Sequence, residues 1–265
     1  MRLTPPRCAL ALGLTLLAAC APPAGKPVTP VTASAAAPEA HHRILVDASR
    51  DGGAWWFPQG GPFTAGAAHQ GKALADYLRA QGHTVTELPR PTTVTAELLA
   101  GADVVIRANG FGPYTDAEID AYDHWVKAGG RLLLLSDVRP NDGLAERFGL
   151  KFQGTALAHG SPRKTTVAKF APHPLTHGVQ ALPFDGGSGL TAYPPDAILV
   201  GWLARDNFLD LNGNNRQDDG EPAAPPVLGA MPFGQGKIVF CGDTNLWEEV
   251  PQPLVRNTIA YLAAP

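Results

Sequence analysis

The chain has 265 residues, with 21 Lys and Arg against 24 Asp and Glu and a formal net charge of −3. No basic cluster interrupts that balance, which argues against nucleic acid as a partner. Three cysteines, Cys8, Cys20 and Cys241, supply neither a disulfide framework nor a cysteine zinc site, so stability has to come from a core.

The N-terminus divides into a positive segment with Arg2 and Arg7, an apolar run over 8–17, and the small residues Ala18 and Ala19 before Cys20. Residues 1–19 therefore read as a signal peptide, with an apolar run too short to span a bilayer permanently. Leu17-Ala18-Ala19-Cys20 resembles the lipobox of bacterial lipoproteins. That resemblance implies cleavage before Cys20 and lipidation of its thiol; with Ala21 following rather than an aspartate, it implies the outer membrane. An ordinary signal peptide cut elsewhere is the alternative. Residues 20–42, rich in Pro, Ala, Thr and Ser, bury too little to offset ordering and read as a tether of about 60 Å when stretched. The expectation is a cell-envelope protein held to the membrane by its lipid anchor rather than by its domain.

Residues 43–265 suit a single domain. Ile44, Leu45 and Val46 form a buried strand ending at Asp47, and a glycine-rich aromatic loop follows over 51–66. The spacing of Leu74, Tyr77 and Leu78 predicts a helix over 67–81 that Gly82 stops. A second strand covers 84–88, a short helix 95–100 and a third strand 104–106. Thr115 with Glu118 makes a capping-box pattern, Ile119, Tyr122 and Val126 continue at helical spacing, and Gly129-Gly130 ends the helix. Four leucines, 132–135, suit a central strand buried on both faces. A short helix over 142–148 stops at Gly149. Residues 151–196 hold only short β-like pieces; strands follow at 198–203, 227–231 and 237–241. Leu254, Val255, Thr258, Ile259 and Leu262 lay a last helix on the sheet. The alternation predicts an α/β fold, with a mostly parallel sheet, helices on both faces and β-rich insertions toward the C-terminus.

Several of these pieces together resemble the glutamine-amidotransferase-like, flavodoxin-like superfamily, in particular bacterial domains of unknown function that lack amidotransferase chemistry. They are 44–47, Gly82-His83-Thr84-Val85, the acidic helix and leucine strand from Thr115 to Asp137, and His173-Pro174-Leu175-Thr176-His177-Gly178-Val179. Pro226 to Leu228, Gly234-Gln235-Gly236-Lys237 and Gly242-Asp243-Thr244-Asn245 complete the order. An amidotransferase would carry a cysteine nucleophile after the leucine strand, at a sharp turn that needs small neighbours. Here Leu135-Ser136-Asp137-Val138 stands instead. Cys241 lies inside an apolar run and reads as an inert thiol.

Ligands of open parallel sheets bind beyond the carboxyl ends of the strands. Asp47, Arg50, Asn109, Asp137, Asp243 and Asn245 fall there, either as a ligand site or as residues that cap helices and loops. Trp55 and Trp56, in the loop after the first strand, offer faces for a carbohydrate or an envelope protein, or else pack back on the sheet. No nucleotide or flavin is expected. His173 and His177 are four apart but separated by Pro174, so one helix face does not present both to a metal. The segment 210–221 places Asp210, Asn212, Asn214, Asp218 and Glu221 at positions 1, 3, 5, 9 and 12 of a twelve-residue loop. The Arg216 carbonyl stands at position 7, which is the donor pattern of an EF-hand-type calcium loop. Flanking strands rather than helices depart from that pattern, and a solvated polar hairpin is the alternative. The leading expectation is a non-catalytic, lipid-anchored binding or scaffold domain. The rival is a hydrolase using the carboxylates at the strand ends.

Overall fold

The computed structural model describes residues 41–50, 70–108, 112–137, 142–160, 165–247 and 251–264. The first part alternates strand and helix: β1 (Arg43–Asp47), α1 (Gln70–Ala80), β2 (Thr84–Leu88), α2 (Ala96–Ala100), β3 (Val104–Ala108), α3 (Asp116–Lys127), β4 (Arg131–Leu135) and α4 (Gly143–Arg147). Then come short strands, β5 (Lys151–Gln153), β6 (Thr155–Ala158), β7 (Thr165–Phe170), β8 (Leu182–Phe184) and β9 (Gly189–Ala192). The chain closes with β10 (Ile198–Leu203), β11 (Asn207–Asp210), β12 (Pro226–Phe233), β13 (Gly236–Cys241) and α5 (Pro253–Ala263).

Local chemistry accounts for the element ends. The Thr115 hydroxyl accepts from the Glu118 amide while the Glu118 carboxylate accepts from the Thr115 amide, a reciprocal cap on α3. Thr95 caps α2 by accepting from the Leu98 amide. Gly82, at φ +89°, turns the chain out of α1, a conformation costly for any residue with a Cβ.

Nine strands form one sheet in the order β2-β1-β3-β4-β13-β12-β10-β7-β8. The pairs β1–β2, β1–β3, β3–β4 and β4–β13 are parallel. The pairs β13–β12, β12–β10, β10–β7 and β7–β8 are antiparallel. Two small two-stranded sheets, β11–β6 and β5–β9, sit beside it. This corrects the expected fold class. The protein is β-rich, built on one large mixed sheet with thirteen strands and five α-helices among the described residues, not a mostly parallel, helix-flanked flavodoxin-like sheet. The cause lies after residue 150, where short links replace helical crossovers. A parallel pairing needs a crossover of a dozen residues or more, so consecutive strands joined by tight turns pair antiparallel. The two-residue turn from β12 to β13 is the clearest instance.

Residues alternate between two apolar clusters. Ile44, Val46, Ile106, Leu133, Leu135 and Val239 join α1 and α5 on one side. Leu45, Val105, Leu132, Leu134 and Phe240 join α2, α3 and α4 on the other. Leu132 to Leu135 are completely buried, as a central strand packed on both faces requires. No helix among the described residues is long and apolar enough to cross a membrane.

Candidate functional site

At the carboxyl end of β1, alternation aims Asp47 to the same side as α3, where it is 4% exposed. The hydroxyls of Tyr114 and Tyr122 both donate to its Oδ2 at 2.6 Å, and the Ser49 amide donates to Oδ1 at 3.0 Å. Burial pushes both phenols well above their ordinary range, and the adjacent Asp47 carboxylate adds to it. They stay protonated, as donors. Three donors thus converge on one buried carboxylate.

Arg107 stands on β3 beside Asp47 in register and is 2% exposed. Its guanidinium pairs with Asp142, whose other oxygen accepts the Ala145 amide at the start of α4. Two cations approach the Tyr114 ring, the Arg50 guanidinium 4.2 Å and the Arg107 guanidinium 5.0 Å from its centroid. Arg50 reaches Glu118 at 2.6 Å, the Ser49 hydroxyl at 3.1 Å and the Thr92 carbonyl at 3.3 Å. Glu118 also accepts from the amides of Val94 and Thr115, each at 2.9 Å. One side of the strand ends is thus a buried ionic network tying β1, β3, the turn before α2, α3 and α4 together.

Burial alone would raise the Glu118 carboxyl, but Arg50 and the Thr115 and Val94 amides outweigh it and hold the group down at about 2. A depressed folded-state pKa contributes stability above the ordinary carboxylate range and loses it as pH falls through that range toward the folded value. The difference in melting temperature between wild type and Glu118→Gln should therefore be largest near neutrality and shrink as pH drops from about 4.5 to about 2. A difference that is constant across that interval would show that the Arg50–Glu118 pair does not stabilise the fold.

The remaining residues gather elsewhere. Asp243 is completely buried. Its carboxylate accepts from the Asp185 amide at 3.0 Å and the Asn245 amide at 2.8 Å, and the Asn245 side chain donates to the Asp185 carbonyl at 3.0 Å. The Asp137 carbonyl accepts from the Ser188 hydroxyl at 3.1 Å. These residues stitch the β8–β9 link to the ends of β4 and β13. Ser136 is completely buried, and among the described residues its hydroxyl has no hydrogen-bond partner. Burial pushes the Cys241 thiol up, and Asp243 adds to it. Asn109, Trp55, Trp56 and Cys20 lie outside the described residues.

Of the residues expected at the strand ends, the structure brings Asp47 and Arg50 into one network and Asp243 and Asn245 into another. Sequence reading missed Arg107, Tyr114, Glu118 as an ion-pair partner, Tyr122 and Asp142. A signal for one of them was present. An arginine inside the apolar run Val104–Ala108 is almost never buried without a charged partner.

The loop over 210–221 is tightly bonded. Asp210 accepts from the amides of Asn212, Gly213, Asn214 and Asn215. Asn212 and Asn214 accept from the amides two residues on, and both donate to Asp218. Glu221 accepts from Leu211 and Asp218. Asn215 takes φ +60° at position 6. Among the described residues no group of three His, Cys, Asp or Glu is placed to hold a metal ion. Oxygen donors from Asn212, Asn214 and the Arg216 carbonyl would have to complete any calcium shell.

A family model described as "Domain of unknown function (DUF4350)" matches residues 67–248. No curated protein matches the chain. Among solved structures, the mmIFT52 N-terminal domain is 16% identical, with a TM-score of 0.60 over 84% of this chain and 98% of that one. A ThuA-like protein from Bacteroides uniformis is 14% identical, with a TM-score of 0.58 over 87% and 95%. The beta-galactosidase from Rahnella sp. R3 is 14% identical, with a TM-score of 0.52 over 84% of this chain and 31% of that one. At these identities the likeness is one of fold. None of these matches carries the glutamine-amidotransferase-like assignment that the sequence motifs implied.

Proposed function

We propose that this chain, which belongs to the DUF4350 family of domains of unknown function, is a lipid-anchored cell-envelope protein whose folded part binds or scaffolds and does not catalyse. The observation that carries this reading is the state of the polar groups at the strand ends. Asp47, Arg50, Asp243 and Asn245 are each engaged by neighbours within the domain. Ser136 is sealed from solvent, and a general base needs reach to a substrate proton. The anchor rests on Leu17-Ala18-Ala19-Cys20 behind an apolar run, and Ala21 in place of an aspartate after the cysteine favours the outer membrane. Trp55 and Trp56, which follow β1 in the sequence, favour a carbohydrate or an envelope protein as the ligand.

Cys20→Ser is the direct test. Metabolic labelling with a clickable fatty acid should mark the wild-type chain and not the variant, and the variant should leave the membrane fraction. A Cys20→Ser chain that still carries acyl groups or stays membrane-bound sinks the anchor. An acyl-type probe that labels wild type but not Ser136→Ala sinks the non-catalytic reading.

The same proposal includes a structural calcium ion held by Asp210, Asn212, Asn214, Asp218, Glu221 and the Arg216 carbonyl. Its support is the donor set, which is oxygen only and at calcium-loop spacing, with three carboxylates to neutralise a divalent cation. Binding would replace the bonds from Asn212 and Asn214 to Asp218. Metal that binds only the folded form adds about 2.7 kcal/mol at a hundredfold excess over Kd. The melting temperature should rise in millimolar calcium and fall back with chelator, and Asp210→Ala with Glu221→Ala should remove the response. Melting that ignores calcium leaves the loop a polar hairpin.

A further inference from the structure

The first residues of the sheet are held from below by two side chains. His42 gives its carbonyl to the Thr84 amide at 3.0 Å, extending the β1–β2 ladder by one step. Its own amide donates to Nδ1 of His83 at 3.2 Å. The next amide, from Arg43, donates to the Asp103 carboxylate at 2.8 Å. The His42 and His83 rings stack, with centroids 5.5 Å apart and planes 21° from parallel, and His83 is 8% exposed. The His41 ring lies against Gly82, where a Cβ would sit 2.2 Å from it. The β1 entry is therefore clasped by the His83 imidazole on one side and the Asp103 carboxylate on the other.

An imidazole nitrogen accepts a hydrogen bond only while it carries no proton. We infer that His83 is an acid-sensitive latch: protonation at Nδ1 releases the His42 amide and frees the segment that leads into β1. A proton on Nδ1 points one donor at another and sets a cation against the stacked His42 ring. Among the described residues, the charged and titratable groups near it include His41 and His42 on the entering segment, Arg43 paired with Asp103, and Arg79 on α1. Arg79 is tied to Asp76 and to the Val85 carbonyl. Asp103 stays ionised further into acid, because the Arg43 guanidinium holds its carboxyl below the ordinary range. An ordinary imidazole takes up a proton at higher pH than an ordinary carboxylate, so the His83 half of the clasp opens before the Asp103 half as pH falls. The imidazoles are not a metal site. The His42 and His83 rings lie face to face rather than converging on a point, and no three-residue metal group occurs among the described residues.

The experiment uses the full chain labelled with 15N-histidine and 15N-arginine and followed by NMR from about pH 8 to about pH 5, which brackets the imidazole range. The His42 amide signal and the His83 ring should titrate with one midpoint, while the Arg43 amide stays put. Exchange of the His42 amide, corrected for intrinsic rate, should be about tenfold faster at the acid end, the size expected for one lost hydrogen bond. His83→Gln keeps an acceptor that does not titrate, so in this variant the acid-dependent rise in His42 amide exchange should disappear. Wild-type titration decides the matter even if that variant misfolds. A His83 ring that protonates while the His42 amide does not move overturns the latch, as does a ring that remains neutral throughout.

Discussion

Asp142→Ala should lower the unfolding free energy by about 3–5 kcal/mol, the usual cost of stripping one partner from a buried ion pair. The Arg107 guanidinium is 2% exposed; among the described residues its Nε has no partner and Asp142 is the carboxylate that pairs with it. Removing that carboxylate leaves a cation inside the domain beside the Tyr114 ring. The same substitution deletes the acceptor at the start of α4, worth about 1 kcal/mol as a helix cap. Replacing both partners with apolar residues of similar volume is often close to neutral, because desolvation of two charges is then avoided. Arg107→Met with Asp142→Ser, which retains a cap, should therefore recover most of the loss in urea unfolding. A single-variant cost below about 1 kcal/mol would place the pair among the energetically idle surface bridges, and a double variant as unstable as the single would refute the ion-pair argument.

Asp47→Ala should cost a similar amount, about 3–5 kcal/mol, because each buried polar group left unsatisfied costs about 1–3 kcal/mol. Here two phenolic hydroxyls and the Ser49 amide lose their acceptor together, and Tyr122 is completely buried with no solvent to turn to. Asp47→Asn keeps one carbonyl oxygen and should lose less. Adding Tyr114→Phe and Tyr122→Phe to Asp47→Ala removes the orphaned hydroxyls and should restore about half of the deficit, since the cost lies in unmet donors rather than in a missing contact. An Asp47→Ala protein as stable as wild type would mean that the hydroxyls find other partners, and that the network does not tie α3 to β1.

These two positions also mark the limit of what could be read from the chain alone. Asp47 was legible as a strand-end carboxylate, and Glu118 as half of a capping box, because both depend on neighbours within a few residues. That Asp47 is met by tyrosines 67 and 75 positions later, and Arg107 by an aspartate 35 positions later, was not. Asp243 and Asn245 were grouped with Asp47 because they too follow a strand. The sheet instead turns them toward Asp185, so the one polar rim expected from sequence is two separate networks. The pieces of the early alternation lay where their periodicity placed them, from β1 to α4. The segments after residue 150, expected as β-rich insertions on a mostly parallel sheet, instead supply strands of the main sheet itself, and being Gly- and Pro-rich they carry no crossover helices to keep those strands parallel.

The amino-acid sequence by itself determined what local interactions decide: the caps of α2 and α3, the glycine exit from α1, the leucine strand at the centre, and the turn at Gly234-Gln235-Gly236. Each depends on backbone geometry and on residues within one or two turns, where little chain entropy is lost in bringing groups together. Only the tertiary structure decided the order of nine strands, the antiparallel half of the sheet and the partners of Asp47, Arg107 and His83. Those choices close loops of tens of residues, and many alternative pairings satisfy the same local pattern. The packing of two apolar faces selects among them, because it requires all contacts to form at once.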